Sequence, residues 1–355
     1  MISIDGNYLE GGGQILRTAL ALSAITQKPF EISDIRKGRC ESGLKHQHMY
    51  CVRALSELCD AKADGDDVGS ETLKFFPGKI KPKTIDIDIE TAGSITLLLQ
   101  SLLLPCLFAG GRTRLRITGG TDVRWSMPVD YFRNVLLPQL HKYAEIDFSL
   151  AKRGYYPKGS GRVEINIKPK FNFDDRMQAD DIVLLEQGDI MQIKGISHAS
   201  SDLQKAEVAE RQAMSAQSML KQTGCPVDII TEYHNTASTG SGIALWAIFS
   251  KSKEGVDFVN PIRIGADALG ERGKKAEEVG KEAAERLIGE IRSKAPVDEY
   301  LADNLIPFMA LFGQDGMFKA ARISNHTLTN IYVVEKFLDV KFVIDKENNV
   351  ISVKK

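Results

Sequence analysis

Near the end of the chain a histidine leads into an apolar helical run. The stretch reads Ser324-Asn325-His326-Thr327-Leu328-Thr329-Asn330, and Ile331, Val333, Val334, Phe337 and Leu338 follow at helical spacing. Hydroxyl and amide side chains in this position cap a helix, because their oxygens accept from free backbone N–H groups. They also hold an imidazole in one tautomer. A capping or packed histidine is the commoner occupant of such a site. The reading adopted is that His326 is a nucleophile and that the other polar positions singled out below serve it.

Two further stretches suit phosphate. Glu10-Gly11-Gly12-Gly13-Gln14-Ile15-Leu16-Arg17 places three glycines before a helix. There the backbone can approach an anion closely and the helix start offers unpaired N–H groups. Glu10 repels phosphate, but it can hold a divalent metal that bridges to phosphate. Arg17, one turn after Gly13, can reach the same anion. Arg36-Lys37-Gly38-Arg39, then Ser42-Gly43-Leu44-Lys45-His46-Gln47-His48, forms a dense basic cluster. Arginine forks match phosphate oxygens at two points. Taken alone, a glycine turn and an exposed basic loop explain these stretches equally well.

Other motifs fall away. No G-x-x-x-x-G-K-[ST] loop occurs, and Gly119-Gly120-Thr121-Asp122 lacks the dinucleotide-binding spacing. Lys62-Ala63-Asp64-Gly65 imitates the nucleotide-accepting lysine of DNA ligases, but its companion motifs are missing, and a surface turn is expected there. The charge run over residues 274–285 reads as a solvated helix face.

Composition sets the frame for these candidates. The 355 residues are 43% hydrophobic and 26% charged, with net charge −1. This suits a globular protein of two domains, or one large domain with an insertion. Any nucleic-acid contact must use a local patch, since the whole chain is not basic. Five cysteines without a Cys-x-x-Cys pair, and no leader-like start, point to reduced thiols and a cytoplasmic protein. The most apolar run, residues 95–109, contains Gln100 and Pro105 and is too short to span a bilayer, so a buried helix is expected.

The candidates sit on a repeated pattern. A strand over residues 1–5 and a glycine turn precede a helix at 14–26, a strand at 30–35, a helix at 43–59, and strands near 72–76 and 85–90. The order glycine turn, helix, strand, helix, strand, strand restarts at Thr91-Ala92-Gly93-Ser94. Its second helix, 129–143, holds Pro138 as an expected kink. Helix starts are offset by roughly 80 residues, which suits a duplicated α/β module rather than a solenoid. A third copy is expected after Pro296 and carries His326. Between the second and third copies, residues 186–295 read as an inserted α+β domain. Its expected elements are strands at 190–196, 227–232 and 243–250 and helices at 203–222 and 274–292. The acidic stretch 171–176 before it reads as a linker.

Residues 10–17, 36–39, 43–48, 119–122, 155–161, 299–303 and 326–338 together resemble the RNA 3′-terminal phosphate cyclases, in order and across nearly the whole chain. The resemblance implies an α/β (α+β) fold. Three repeated β-α-β-α-β-β modules would form a large domain, residues 1–185 and 296–355, with a smaller α+β domain inserted at 186–295. It also implies an ATP-dependent enzyme of the ligase class. A histidine matching His326 attacks the α-phosphate of ATP, and the AMP passes to an RNA 3′-phosphate end. The adjacent 2′-hydroxyl then closes a 2′,3′-cyclic phosphate. By the same resemblance Glu10 binds the divalent metal, Mg or Mn. Gln14, Arg17, Arg36, Arg39, Gln47, His48, Gln100, Tyr300, Asp303 and Asn304 line the nucleotide site. Asn304 departs from the glutamine of well-known members. The resemblance involves no membrane and leaves a homodimer open as the assembly. Two rivals share this fold: ribosome-assembly relatives, which lack the histidine, and enolpyruvyl transferases, which use similar modules for other chemistry.

Overall fold

The computed structural model describes residues 1–251 and 255–355. Its first module runs β1 (Ile2–Asp5), α1 (Gly13–Thr26), β2 (Phe30–Ser33), α2 (His46–Cys59), β3 (Lys62–Asp64) and β4 (Leu73–Phe76). The sheet order is β1-β2-β4-β3, with β1 parallel to β2 and β4 antiparallel to both its neighbours. Alternating burial in β2 and β4 seats Phe30, Ile32, Leu73 and Phe75 on the helix layer.

A second module repeats this plan with β5 (Thr84–Asp88), α3 (Ile95–Cys106), β6 (Thr113–Gly119), β7 (Ala144–Lys152) and β8 (Gly161–Pro169). Its order, β5-β6-β8-β7, has the same parallel and antiparallel pairs. In place of a simple second helix it carries α4 (Val129–Tyr131), a π-helical turn (Phe132–Leu136) and α5 (Leu137–Leu140). The expected kink at Pro138 is thus a widened turn, in which Leu137 N–H donates to the carbonyl of Phe132. Pro138 has no N–H for the carbonyl of Asn134, and Arg263 Nη1 donates to that oxygen at 2.9 Å instead.

The third module opens earlier than the sequence suggests. Its first strand is β9 (Val183–Leu184). The chain then leaves for β10 (Asp189–Ser200), α6 (Val208–Leu220), β11 (Val227–His234), β12 (Ser241–Ser250), β13 (Ile262–Leu269) and α7 (Ala276–Arg292). It returns as α8 (Glu299–Leu311), β14 (Met317–Lys319), α9 (Asn325–Phe337), β15 (Lys341–Asp345) and β16 (Val350–Lys354). The order β9-β14-β16-β15, with β9 parallel to β14, is again that of the first sheet. The inserted segment therefore parts the first strand of the third module from its first helix. It forms its own sheet, β11-β10-β12-β13, against which α6 and α7 pack.

Four further expectations are corrected. The strand near residues 85–90 opens the second module rather than closing the first. Lys62-Ala63-Asp64 is the edge strand β3, not a turn. β13, missed in the sequence, pairs with β12 over its whole length. The stretch 171–176 is packed rather than a free linker: Phe173 meets Phe108 edge-on at 5.6 Å, and the Arg176 guanidinium lies 3.9 Å over its ring. Among the described residues, no helix is long and apolar enough to cross a membrane.

The helices α1, α2, α3, α8 and α9 of the three modules form one layer. From Gln14 to Ile25 every residue of α1 is buried, and small residues such as Ala19, Ala21 and Ala24 let α2, α3 and α9 close around it. Consequently the beginnings of α1, α2 and α9 meet at one end of the layer, where the contacts described next lie.

Candidate active site

His326 stands in the first turn of α9. Ser324 caps the helix, its Oγ accepting from Thr327 N at 3.2 Å, and the imidazole is partly exposed at the rim, with its Nδ1 side buried. Its Nδ1 lies 2.5 Å from Gln14 Oε1, on the first turn of α1. Gln14 Nε2 donates to the His326 carbonyl at 3.2 Å and to Asp303 Oδ2 at 3.4 Å. Turning the amide over would set its oxygen against that carbonyl, so Oε1 faces the ring and Nδ1 carries the proton. Nε2 is left with its lone pair. Burial is the main influence lowering the His326 pKa, with Glu10 opposing and Arg17 and Arg39 assisting, so the ring is neutral near pH 7.

A continuous polar chain runs inward from this pair. Asn304 Nδ2 donates to Asp303 Oδ1 at 2.6 Å and to the carbonyl of Tyr300 at 2.7 Å. Gln100 Nε2 donates to Asn304 Oδ1 at 2.9 Å, and Arg17 Nε donates to Gln100 Oε1 at 3.0 Å. Here α1, α3, α8 and α9 each give one or two members. Asn304 is fully engaged, which gives a local account of the shorter amide. Desolvation pushes the Asp303 carboxyl up to about 8, against the pull of Arg17. The buried Arg17 has its pKa lowered by desolvation as well. Below the chain lies a cavity of about 40 Å³ lined by Gln14, Thr18, Gln100, Asp303, Asn304 and Asn330, room for a water molecule or two.

The basic loop closes one side. Arg39 Nη2 donates to the Glu10 carbonyl at 2.8 Å and to its carboxylate at 3.0 Å. Arg36, with φ +57°, turns its guanidinium back toward the carbonyl of Gly43 at 3.4 Å. Burial and the neighbouring Arg39 lower its pKa. His48 is a buried wall rather than a free base. Its Nδ1 accepts from Lys45 N at 3.1 Å, and burial, aided by Arg17, Arg36 and Lys45, holds its pKa down to about 3. A Cβ on Gly13 would stand 2.0 Å from His48 Nε2, so this close approach requires glycine. Gln47 Oε1 accepts from Ser94 N, the cap of α3, at 3.4 Å. Tyr300 is 53% exposed, its ring edge-on to Tyr131 at 6.4 Å.

Sequence reasoning missed two residues that brace the site. Thr18 Oγ1 donates to Asn330 Oδ1 at 2.6 Å, and Asn330 Nδ2 donates to the Asp303 carbonyl at 2.6 Å. The available signal was their spacing: each is a polar residue one turn beyond Gln14 or His326 on an otherwise apolar face. Also missed was a buried cluster at the joint with the inserted segment. Arg153 lies 3.2 Å from Asp122, 2.7 Å from Asp130 and 3.1 Å from Glu232, and His198 Nε2 is 3.4 Å from Asp122. Asp122, Asp130 and His198 could by themselves hold a cation. The guanidinium already fills that role, and the cluster reads as an ion-pair joint.

Such a site has a neutral imidazole nitrogen at an open rim, arginines around a helix start, and one carboxylate beside them. It can attack phosphorus while the cations offset charge. The family model described as RNA 3′-terminal phosphate cyclase matches residues 8–344. An RNA 3′-terminal phosphate cyclase of Pyrococcus furiosus is 45% identical over 343 residues, covering 96% of this chain and 94% of that protein. One from Thermococcus gammatolerans is 46% identical over 348 residues, 98% and 95% of the two chains. The same named enzyme of Saccharolobus solfataricus is 45% identical over 350 residues, 97% and 96%.

Proposed function

This chain belongs to the RNA 3′-terminal phosphate cyclase family and is an enzyme of that class, and from that premise we propose a mechanism that uses ATP and passes through AMP carried on His326. The observation that carries it is the Gln14–His326 contact, which leaves Nε2 free at the rim near Arg17 and Arg39.

Nε2 attacks the α-phosphorus of ATP. An N–P bond forms, the bond from the α-phosphorus to its bridging oxygen breaks, and pyrophosphate leaves. The ring keeps its Nδ1 proton, and the hydrogen bond to Gln14 Oε1 strengthens as positive charge grows on the ring. An oxygen of the RNA 3′-phosphate then attacks the same phosphorus and expels the imidazole. Finally the ribose 2′-oxygen attacks the RNA phosphorus, loses its proton to solvent, and releases AMP as the cyclic diester closes. That last step needs positioning above all, since nucleophile and phosphorus share one ribose.

Arg17, Arg36 and Arg39 bind and orient phosphate oxygens in this scheme. Glu10 fits a divalent cation, Mg or Mn, because one carboxylate plus substrate phosphates and waters is the usual arrangement for such ions. When bound, the cation offsets charge on the phosphates. Gln47, Gln100, Tyr300, Asp303 and Asn304 line the nucleotide, and His48 backs it. The cytoplasm, where ATP and RNA ends occur together, is the proposed compartment.

Mixing the protein with ATP and magnesium and weighing it intact tests the scheme. The expected result is an AMP adduct that maps to His326 and disappears when 3′-phosphate RNA is added. ATP-dependent cyclisation without any adduct would sink it.

A further inference from the structure

The three modules connect their second strand to their second helix by equivalent loops. In the first, residues 34–45 carry Arg36 and Arg39; in the third, residues 320–324 deliver His326. The second, residues 120–128, carries Arg124 and Trp125 and has no role in the mechanism above. Trp125 is 92% exposed and sits at φ +61°, a left-handed conformation that a bulky residue rarely adopts. A tryptophan left almost wholly in water on an unfavourable backbone contributes nothing visible to the fold.

Contacts tie this loop to the site. Gly120 N donates to the Gly93 carbonyl at 2.8 Å, and Ile95 N donates to the Gly120 carbonyl at 2.9 Å. Thr96 Oγ1 donates to the Met127 carbonyl at 2.7 Å. The turn at residues 91–94 thus holds the loop, and Ser94 of that turn contacts Gln47, whose neighbour His48 packs on Gly13. Arg124 pairs with Glu271 at 2.5 Å, which anchors the loop from its other side. The same turn supports a second exposed aromatic. Gly159 packs so closely on it that a Cβ would stand 2.8 Å from Ala92 Cα. The hairpin that ends in Gly159 presents Tyr156, 76% exposed, beside exposed Lys158.

We propose that Trp125 is a stacking platform for a base of the substrate RNA just upstream of its 3′-phosphate, with Tyr156 on the same shelf. Single-stranded RNA presents unstacked bases, and exposed aromatics flanked by cations are the chemistry that receives them without selecting sequence. This inference rests on the cyclase reading, because it takes the RNA end as the ligand of the neighbouring site.

The chain has two tryptophans, and Trp246 is buried. Intrinsic fluorescence on titration with a 3′-phosphate RNA oligonucleotide therefore reports on Trp125. Quenching is expected in the wild type and not in Trp125→Phe. Trp125→Ala should raise the RNA KM by about 5- to 150-fold, the span of one base stack. Trp125→Phe should restore most of it, while AMP still loads onto His326 in both variants. An abasic nucleotide at the stacked position should weaken the wild type and add nothing to Trp125→Ala. A wild-type KM in Trp125→Ala, with fluorescence unmoved by RNA, overturns the platform and leaves the cyclase reading standing. Failure of the wild type itself to cyclise 3′-phosphate RNA would instead overturn the reading beneath it.

Discussion

His326 and Gln14 lie 312 positions apart in sequence, yet the tautomer of one is set by the amide of the other. His326→Ala and His326→Asn should both abolish the AMP adduct, since neither side chain offers a nucleophilic nitrogen. Gln14→Ala should keep the nucleophile and lose the support of its developing charge. The loss expected is about 1.5–3 kcal/mol, or about 10- to 150-fold in adduct rate by rapid quench. Acid sensitivity follows from the same ring. A lowered pKa keeps the imidazole neutral further into acid, so the acid limb of adduct formation should lie below the ordinary histidine value of 6.5. A midpoint above 7 would mean that another group is being titrated. Arg17, Arg36 and Arg39 should each weaken adduct formation when changed to alanine, and lysine should recover little where a two-point fork is needed. Full activity in all three alanine variants would remove the proposed site.

Elements place these residues, and their ends do most of it. Ser324 caps α9 about two turns ahead of the apolar face formed by Ile331 and Val334. Ser324→Ala should cost about 1 kcal/mol in urea unfolding and slow adduct formation, because His326 lies in the turn that frays. Edge strand β3 makes the opposite case. Lys62 is exposed there, and Lys62→Ala should leave the adduct unchanged. If that variant lost the adduct while His326→Ala kept it, the nucleophile would be misassigned. Between elements, Arg153 joins β7 and the start of α4 to β11. Arg153→Ala strands Asp122 and Asp130 in the interior and should destabilise by about 3–5 kcal/mol, read as a lower urea midpoint.

For the molecule as a whole, the question is how the inserted segment is joined. We propose residues 186–295 as a separately packed domain, and its joint carries buried polar groups beside apolar contacts such as Gly265 on Tyr131. Asp298, the cap of α8, accepts from Tyr131 Oη at 2.6 Å and from Gly265 N at 2.8 Å. Desolvation pushes Asp298 up to about 6, Asp267 to about 7 and Glu290 to about 8. A carboxyl raised in the folded state holds a proton that the unfolded chain has released. Stability therefore falls as pH rises from about 4 towards about 8. Thermal unfolding should occur at lower temperature at pH 8 than at pH 6, and Asp267→Asn should flatten that dependence. A melting temperature that rises over this interval would contradict the sign. Replacing 186–295 by a glycine-serine linker should give a less stable protein that still loads AMP. Insolubility at every linker length would count against the boundary.

Periodicity and turn chemistry marked α1, α2, α3 and α9 in the sequence, because a helix with one buried face repeats its apolar residues locally. The same local signals exposed the glycine turn at residues 11–13, the arginine loop and the capped histidine. β9 was illegible. Two residues, Val183 and Leu184, carry no period, and they are a strand only because β14 lies beside them. The order of the third module, and the place where the insertion divides it, followed from that pairing alone. The chain from His326 through Gln14, Asp303, Asn304 and Gln100 to Arg17 was likewise visible only as separate polar residues. Sequence spacing fixes which residues share a turn of one helix. It does not fix which helix starts come together, because that is decided by packing α2, α3 and α9 around α1 and by satisfying the polar groups of the site they bury there.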